Sequence, residues 1–201
     1  MLEFVAMAQH CAPGVNADTI ARIVRVESSF NPFAIGVVGG QLVRQPRSIG
    51  EAVATADWLQ SHGFNYSVGI AQVNQHNLSR YGLTLKTAFE TCPNLHAGGE
   101  ILKECYARAL RAHFKPQTAL RDAISCYYSG NFSTGYRAGY VTKVVAGADQ
   151  GVTPIPLKRG HAEQHPAQAP VQPAHPTVTS ANATEKLPSG PPPQPRSALV
   201  F

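Results

Sequence analysis

One glutamate stands where a carboxyl group could act as a general acid. Glu27 follows the run Ile23-Val24-Arg25-Val26 and precedes Ser28-Ser29-Phe30-Asn31-Pro32. On a helix, this residue lies one turn from Ile23 and Val24, two apolar residues that we assign to the core. Apolar neighbours desolvate a carboxyl group, which raises its pKa toward the range that a general acid needs at neutral pH. The alternative is an ordinary glutamate at a helix end that points to solvent, as most glutamates do.

A second segment, residues 67–74, carries amide side chains close to a glycine. It reads Ser67-Val68-Gly69-Ile70-Ala71-Gln72-Val73-Asn74. Gly69 lets the backbone approach a ligand closely, and Gln72 and Asn74 offer amide donors and acceptors that suit the hydroxyl and acetamido groups of a sugar. The alternative is a plain connection between a loop and a helix.

A third segment, Cys126-Tyr127-Tyr128-Ser129-Gly130-Asn131, ends an apolar helix. Its two adjacent tyrosines place at least one phenol near a helix terminus, where the ring can stack and the hydroxyl can form a hydrogen bond. The alternative is that both rings simply fill the core.

The elements that must position these segments are mostly helices. Asn16 or Asp18 can cap a helix that ends before Asn31-Pro32, and Ser48 with Glu51 forms a capping box that opens a helix to about His62. Further helices are predicted to begin at Asn94 and to cover residues 118–128 and 136–145.

A short hairpin is predicted between residues 35–38 and 42–43, because Gly39-Gly40 is a two-residue hairpin signal. The fold class is therefore α+β and mostly α, with one short β-hairpin.

Composition divides the 201 residues into a body, 1–147, and a tail, 148–201. The tail carries 11 of the 16 prolines. Proline lacks the donor for helix or sheet hydrogen bonds, and the tail has too little apolar area to offset the entropy of ordering. We predict a disordered Pro/Ala/Gln-rich tail, more in keeping with a solvated linker than with an interaction arm.

The net charge of +5 and the pI near 9.2 suit an anionic partner such as cell-wall polymer, nucleic acid or acidic lipid. The body has 13 Lys and Arg against 9 Asp and Glu, without a basic run or interleaved basic and aromatic residues. This pattern disfavours nucleic acid. No apolar stretch approaches the roughly 18 residues of a membrane-spanning helix, so no membrane span is predicted.

The three segments together, in this order and spacing, resemble the lytic transglycosylases of the goose-lysozyme-like superfamily. Residues 27–38 are most similar to the VirB1 branch, which serves type IV secretion and conjugation machines. Their sequence is Glu-Ser-Ser-Phe-Asn-Pro-Phe-Ala-Ile-Gly-Val-Val. The resemblance spans about residues 11–146 and implies a lysozyme-like helical domain.

The resemblance implies that Glu27 is the sole catalytic acid/base. Residues 69–72 match the Gly-Leu-Met-Gln segment of the glycan groove, with Ala71 in place of methionine. Tyr127 matches the tyrosine of the Ala-Tyr-Asn signature, with Tyr128 in place of the asparagine. The residues expected to bind substrate are Ser28, Gly69, Ile70, Ala71, Gln72, Asn74, Tyr127, Tyr128 and Asn131.

The implied reaction cleaves the bond between N-acetylmuramic acid (MurNAc) and N-acetylglucosamine (GlcNAc) in peptidoglycan and closes a 1,6-anhydro ring on MurNAc. No second carboxylate has comparable motif support, because Glu51 and Asp57 fall on a predicted amphipathic helix as surface charges. No cofactor is expected. No metal is expected either, since the histidines lack ligand spacing.

The implied substrate places the protein in the periplasm, although Met1–Ala8 does not resemble a signal peptide. Disulfides persist in that compartment. The four cysteines allow three pairings, of which we favour Cys92–Cys105 with Cys11–Cys126; buried free thiols are the alternative.

Two other functions remain open. One is a lysozyme-type hydrolase acting on the same groove, which differs only in its product. The other is a non-catalytic wall-binding assembly factor. For the lytic transglycosylase that the resemblance implies, the expected partners are peptidoglycan strands and components of a type IV secretion or conjugation channel, the latter reached through the tail.

Overall fold

The computed structural model describes residues 2–113 and 115–146. Within them the chain forms seven α-helices and one three-stranded antiparallel sheet. The helices are α1 (Leu2–Cys11), α2 (Ala17–Ser28), α3 (Ile49–Ser61), α4 (Thr91–Ala112), α5 (Pro116–Ser129), α6 (Thr134–Arg137) and α7 (Tyr140–Ala146). The strands are β1 (Ile35–Val37), β2 (Tyr66–Val68) and β3 (Val73–Asn74).

The predicted class, a mostly helical α+β domain with a short hairpin, is confirmed. The predicted tail, residues 148–201, lies outside the described residues. Among those that are described, no helix combines the length and the apolar character needed to span a membrane.

Helix α2, which carries Glu27, begins and ends as its sequence predicts. The Asn16 side chain accepts a hydrogen bond from the Thr19 amide at 3.1 Å, which satisfies one of the free donors of the first turn. At the other end Ser29 adopts the left-handed conformation, with φ of 52°, and its amide donates to the Arg25 carbonyl. The helix therefore ends at Ser28, so that Glu27 lies in its last turn.

The hairpin prediction was wrong in its position. β1 pairs with β2, with Ile35 opposite Val68, and residues 42–43 form no strand. The Gln45 side chain takes the place of a partner strand, because its amide accepts from the Ile35 N–H at 2.8 Å and donates to the Ile35 carbonyl at 3.0 Å. The hairpin that does form joins β2 to β3 through residues 69–72, inside the second chemical segment.

Two helix boundaries also differ from the prediction. α4 begins at Thr91, three residues before Asn94, so Asn94 lies inside the helix and is fully buried. The region 136–145 is two helices, because Gly139 adopts a φ of 69° and interrupts the helical path between α6 and α7.

Two clusters of buried side chains fill the body. The larger one joins the sheet to α3, α4, α5 and α7, and Tyr66, Phe89 and Tyr127 are among its largest members. The smaller one packs α1 and α2 against the turn after β2, with Ile20, Val24 and Ile70 at its centre. The turn that carries the second segment is therefore part of the core next to α2.

All four cysteines form disulfides, but not in the favoured pairs. Cys11 bonds to Cys92 and Cys105 bonds to Cys126, with Cα atoms 5.0 and 5.7 Å apart. Cys11 ends α1, which packs on the start of α4, and Cys105 lies on the face of α4 that packs on α5. The pairing follows these helix contacts, which are distant in sequence.

Candidate active site

The carboxyl group of Glu27 lies at the junction of α2 and α7. Its Oε1 accepts a hydrogen bond from the Tyr140 hydroxyl at 2.5 Å, and its Oε2 is withdrawn from solvent. The residue as a whole is half-buried. A carboxyl group this close to an apolar core is costly unless it is hydrogen-bonded, and Tyr140 supplies that bond.

Tyr140 is a buried phenol that stays protonated. Burial raises its pKa well above the usual value, and the neighbouring Glu27 carboxylate raises it further. Because a phenol with a raised pKa keeps its proton at neutral and moderately alkaline pH, Tyr140 remains a hydrogen-bond donor to Glu27. Its ring stacks on that of Tyr128, with centroids 4.6 Å apart.

Tyr127 binds the turn between β2 and β3. Its hydroxyl donates to the Ala71 carbonyl at 2.6 Å, and the side chain is 1% exposed. Burial raises the pKa of Tyr127 well above its usual value, and the charge of Glu27 adds to the effect. The first tyrosine of the third segment thus fixes the turn, while the second packs against the ring that holds the glutamate.

Two more side chains hold the same turn. Ser28 Oγ donates to the Ile70 carbonyl at 2.7 Å, which ties the turn to the helix of the glutamate. Asn94 Oδ1 accepts from the Ala71 amide at 2.7 Å, and its Nδ2 donates to the carbonyls of Val68 and Ala88. α2, α4 and α5 therefore each contribute one side chain to a turn of four residues.

The turn itself needs a glycine at its start. Gly69 has a φ of 80°, and a Cβ there would lie 2.3 Å from Asn94 Nδ2 and 2.4 Å from the Ala88 carbonyl oxygen. Gln72 closes the turn with a φ of 50°, and its Nε2 donates to the carbonyls of Ala34 and Gly69. The Gln72 amide nitrogen thus belongs to the framework of the turn.

The remaining amides of the predicted site also make internal hydrogen bonds. Asn74 is fully buried; its Oδ1 accepts from the His76 amide and its Nδ2 donates to Asn65 Oδ1. Asn131 is exposed, and its Oδ1 accepts from the amides of Ser133 and Thr134 at the start of α6.

Comparison with known proteins identifies the family of the chain. The model of the transglycosylase SLT domain family matches residues 4–143. The chain belongs to this family.

Several curated relatives carry the same name. The type IV secretion system protein VirB1 of Brucella abortus is 53% identical over 161 residues, which cover 77% of this chain and 68% of the relative, and the VirB1 protein of Brucella suis matches equally. The VirB1 protein of Agrobacterium tumefaciens is 40% identical over 148 residues, covering 73% of this chain and 61% of the relative. No solved structure matches the chain significantly.

Two residues that hold Glu27 and the turn were not identified from the sequence. Tyr140 was assigned only to an apolar helix, and Asn94 was read as a helix start. The contact between Tyr140 and Glu27 spans 113 residues, so no local pattern could reveal it. The signal for Asn94 was present, since an asparagine among apolar residues of a helix must satisfy its amide when it is buried.

The charges of Glu51 and Asp57 are exposed or paired at the surface, as expected. Arg44 binds Glu51 through two hydrogen bonds of 2.8 and 3.0 Å, and this bond lowers the Glu51 pKa to about 2. Asp57 is exposed. In the described part of the chain, no three His, Cys, Asp or Glu side chains lie together as a metal would require.

The close packing of the turn against α4 can be tested with Gly98→Ala. A Cβ at residue 98 would lie 2.7 Å from the Ala71 Cβ and 3.0 Å from the Tyr127 hydroxyl. Overpacking costs about 1–3 kcal/mol, which outweighs the helix-propensity gain of up to about 1 kcal/mol. We expect a net loss of about 1–2 kcal/mol in the free energy of unfolding, measured by urea denaturation.

Gly50→Ala is the matched control for this test. Gly50 is also helical, and a Cβ there would have its nearest neighbour at 3.9 Å, so stability should be unchanged or slightly raised. Equal stabilities of the two variants would contradict the tight contact between turn and helix.

Proposed function

We propose that this chain is a lytic transglycosylase that cleaves the β-1,4 bond between MurNAc and GlcNAc in peptidoglycan, with Glu27 as the acid and then the base. The observation that carries the proposal is the half-buried Glu27 carboxyl group, which lies in the last turn of α2 and is held by the buried Tyr140 phenol. The family assignment supports the same chemistry.

In the first step, protonated Glu27 gives its proton to the glycosidic oxygen, and the bond from that oxygen to C1 of MurNAc breaks. The electron pair leaves with the GlcNAc oxygen, and positive charge develops at C1. A site with one carboxylate relies on the 2-acetamido group of the substrate to stabilise this charge, one of the recognised exceptions to the two-carboxylate mechanism.

In the second step, the Glu27 carboxylate removes the proton from the C6 hydroxyl of MurNAc, and the C6 oxygen bonds to C1. The 1,6-anhydro ring closes, the glutamic acid is regenerated, and no water is consumed. Hydrolysis would give the same products except at the MurNAc end, which would be a reducing end instead of a 1,6-anhydro ring. The enzyme is therefore a carbon–oxygen lyase that acts on a polysaccharide.

Tyr140 serves both steps by orienting the carboxyl group. A donor on Oε1 fixes the plane of the group, and it stabilises the carboxylate formed when the proton leaves. Tyr128, stacked on the same ring, limits the positions that Tyr140 can take.

The proposed substrate contacts centre on the turn and its neighbours. Gln72, Asn74 and Tyr127 are buried, so we propose that they support the sugar-binding surface, and that Ser28 and the backbone of residues 69–72 contact the sugar. We also propose that Tyr128 and Asn131 contact the substrate. Tyr128 lies in the last turn of α5, and Asn131 follows the end of that helix by two residues.

The relatives named VirB1 suggest where the enzyme works. We propose that it acts in the periplasm, where it opens local gaps in peptidoglycan for a type IV secretion or conjugation machine. Contacts with channel components are proposed for the tail, residues 148–201. The alternative to an enzyme is a non-catalytic assembly factor that binds the cell wall. Such a protein has no need of a half-buried carboxyl group.

The role of Glu27 is tested with Glu27→Gln. The amide preserves the shape of the side chain but cannot supply the proton, so we expect sacculus binding to persist while the release of soluble muropeptides is almost lost. Binding is measured by co-sedimentation with sacculi, and turnover by the release of soluble product.

Glu90→Gln is the control, because this exposed glutamate makes no side-chain cap bond at the start of α4. Full turnover by Glu27→Gln would remove Glu27 from the reaction. If Glu27→Gln also supported secretion or conjugation fully, the protein would be a non-catalytic assembly factor and not a transglycosylase.

The role of Tyr140 is tested with Tyr140→Phe. The substitution keeps the stacked ring and removes the donor to Glu27, a hydrogen bond to a charged group worth about 1.5–3 kcal/mol. We expect kcat to fall by about tenfold to a hundredfold, with sacculus binding retained.

Tyr136→Phe makes the same change in the neighbouring helix, where the hydroxyl donates to Asp122 at 2.7 Å. This control should keep the kcat of the unmodified enzyme. An equal kcat in the two variants would show that Tyr140 only fills the core.

A further inference from the structure

A cleft is present that none of the residues assigned to the Glu27 site lines. It lies between the end of α3, the start of β2 and the 3-10 turns that follow β3, and its volume is about 580 Å³. Its size is in the range of sites that bind small molecules.

The cleft carries polar groups that the fold leaves unused. Within the described residues, the side chains of Gln60, His76 and Ser79 form no hydrogen bond. Asn65 and Gln75 each use one end of their amide internally, since Asn65 Oδ1 accepts from a neighbouring amide and Gln75 Nε2 donates to a backbone carbonyl. The other end of each amide remains available to a ligand.

Tyr66 adds a buried hydroxyl to this set. The side chain is fully buried and lines the cleft, and its hydroxyl has no hydrogen-bond partner in the part of the chain that the structure describes. Buried polar groups are rarely left unpaired, so each such group calls for an explanation. This hydroxyl is closed off from solvent in the structure, so a ligand in the cleft reaches it only when a neighbouring side chain of the lining shifts.

One wall of the cleft continues into exposed aromatic rings. Phe64 lines the cleft and is 40% exposed, and its ring lies nearly parallel to that of Trp58, with centroids 5.8 Å apart. Trp58 is 52% exposed and stacks on His62 at 4.1 Å. Exposed aromatic rings of this kind offer a flat apolar surface beside the polar cleft.

The chemistry of the cleft selects the ligand. No Lys, Arg, Asp or Glu lines it, so a charged ligand would lose hydration without gaining an opposite charge. A ligand that fits has a flat apolar face for the rings, and hydroxyl and amide groups along its edge for the unused side chains. A pyranose ring with an acetamido group has both features.

We propose that this cleft binds an N-acetylhexosamine unit of a glycan strand, at a site separate from Glu27. The proposal rests on the proposed function, which supplies the glycan. Held at this site, a strand remains on the enzyme while Glu27 acts on another bond.

The test uses the full chain carrying Glu27→Gln, which prevents turnover. The ¹⁵N-labelled protein is titrated with the GlcNAc trimer, an uncharged probe, and amide shifts are followed by NMR. We expect shifts in residues 60–66 and 75–79. Adding Phe64→Ala and His76→Ala should weaken binding at those amides at least tenfold, while shifts near residue 27 persist.

Leu110→Ala in the same background is the control, because Leu110 is an exposed apolar residue on α4 that does not line the cleft. It should leave both sets of shifts unchanged. Thermal melting confirms that each variant is folded.

Two outcomes would overturn the cleft proposal. Shifts confined to the surroundings of residue 27 would do so while leaving the proposed function intact. Shifts at the cleft caused by a free peptide stem, with none from the trimer, would assign the cleft to peptide instead. The turnover comparison of Glu27→Gln with the unmodified enzyme decides the proposed function independently of either result.

Discussion

The site depends on keeping one carboxyl group at the edge of an apolar core. Water would solvate that group better than the protein does, and the protein compensates with a hydrogen bond from a phenol that is itself buried. Burial and the adjacent charge keep the Tyr140 phenol protonated, so the donor is present whether Glu27 holds its proton or not. The glutamate can thus change its protonation state while its orientation is maintained.

The turn after β2 packs next to the helix that carries Glu27, and buried and half-buried side chains hold it in place. Ser28, Asn94 and Tyr127 hold it from three helices, and one of these helices also carries Glu27. The Cys105–Cys126 disulfide joins α4 to α5 at the residue before Tyr127, and the Cys11–Cys92 disulfide joins α1 to α4 two residues before Asn94. The turn is therefore tied to the helix of Glu27 by Ser28, while the disulfides hold together the helices that carry Asn94 and Tyr127.

Local features of this fold could be predicted from the sequence, and long-range ones could not. The ends of α2 and the start of α3 follow from their own capping residues, Asn16 and Ser48. β1 pairs with β2 about 30 residues later, while the Gln45 side chain bonds Ile35 where a strand was expected, and the disulfides depend on helix packing. Glu27 was identified because its apolar neighbours are adjacent in sequence, whereas Tyr140 was missed because its contact appears only after α7 packs on α2.

The proposed reaction ends with closure of the 1,6-anhydro ring, and no water enters it. The most direct measurement is mass spectrometry of the sugar ends released from purified sacculi by residues 1–147 and by the full chain. We predict MurNAc ends in the 1,6-anhydro form, lighter by one water than reducing ends, from both proteins. Reducing MurNAc ends would contradict the claim and identify a hydrolase on the same fold.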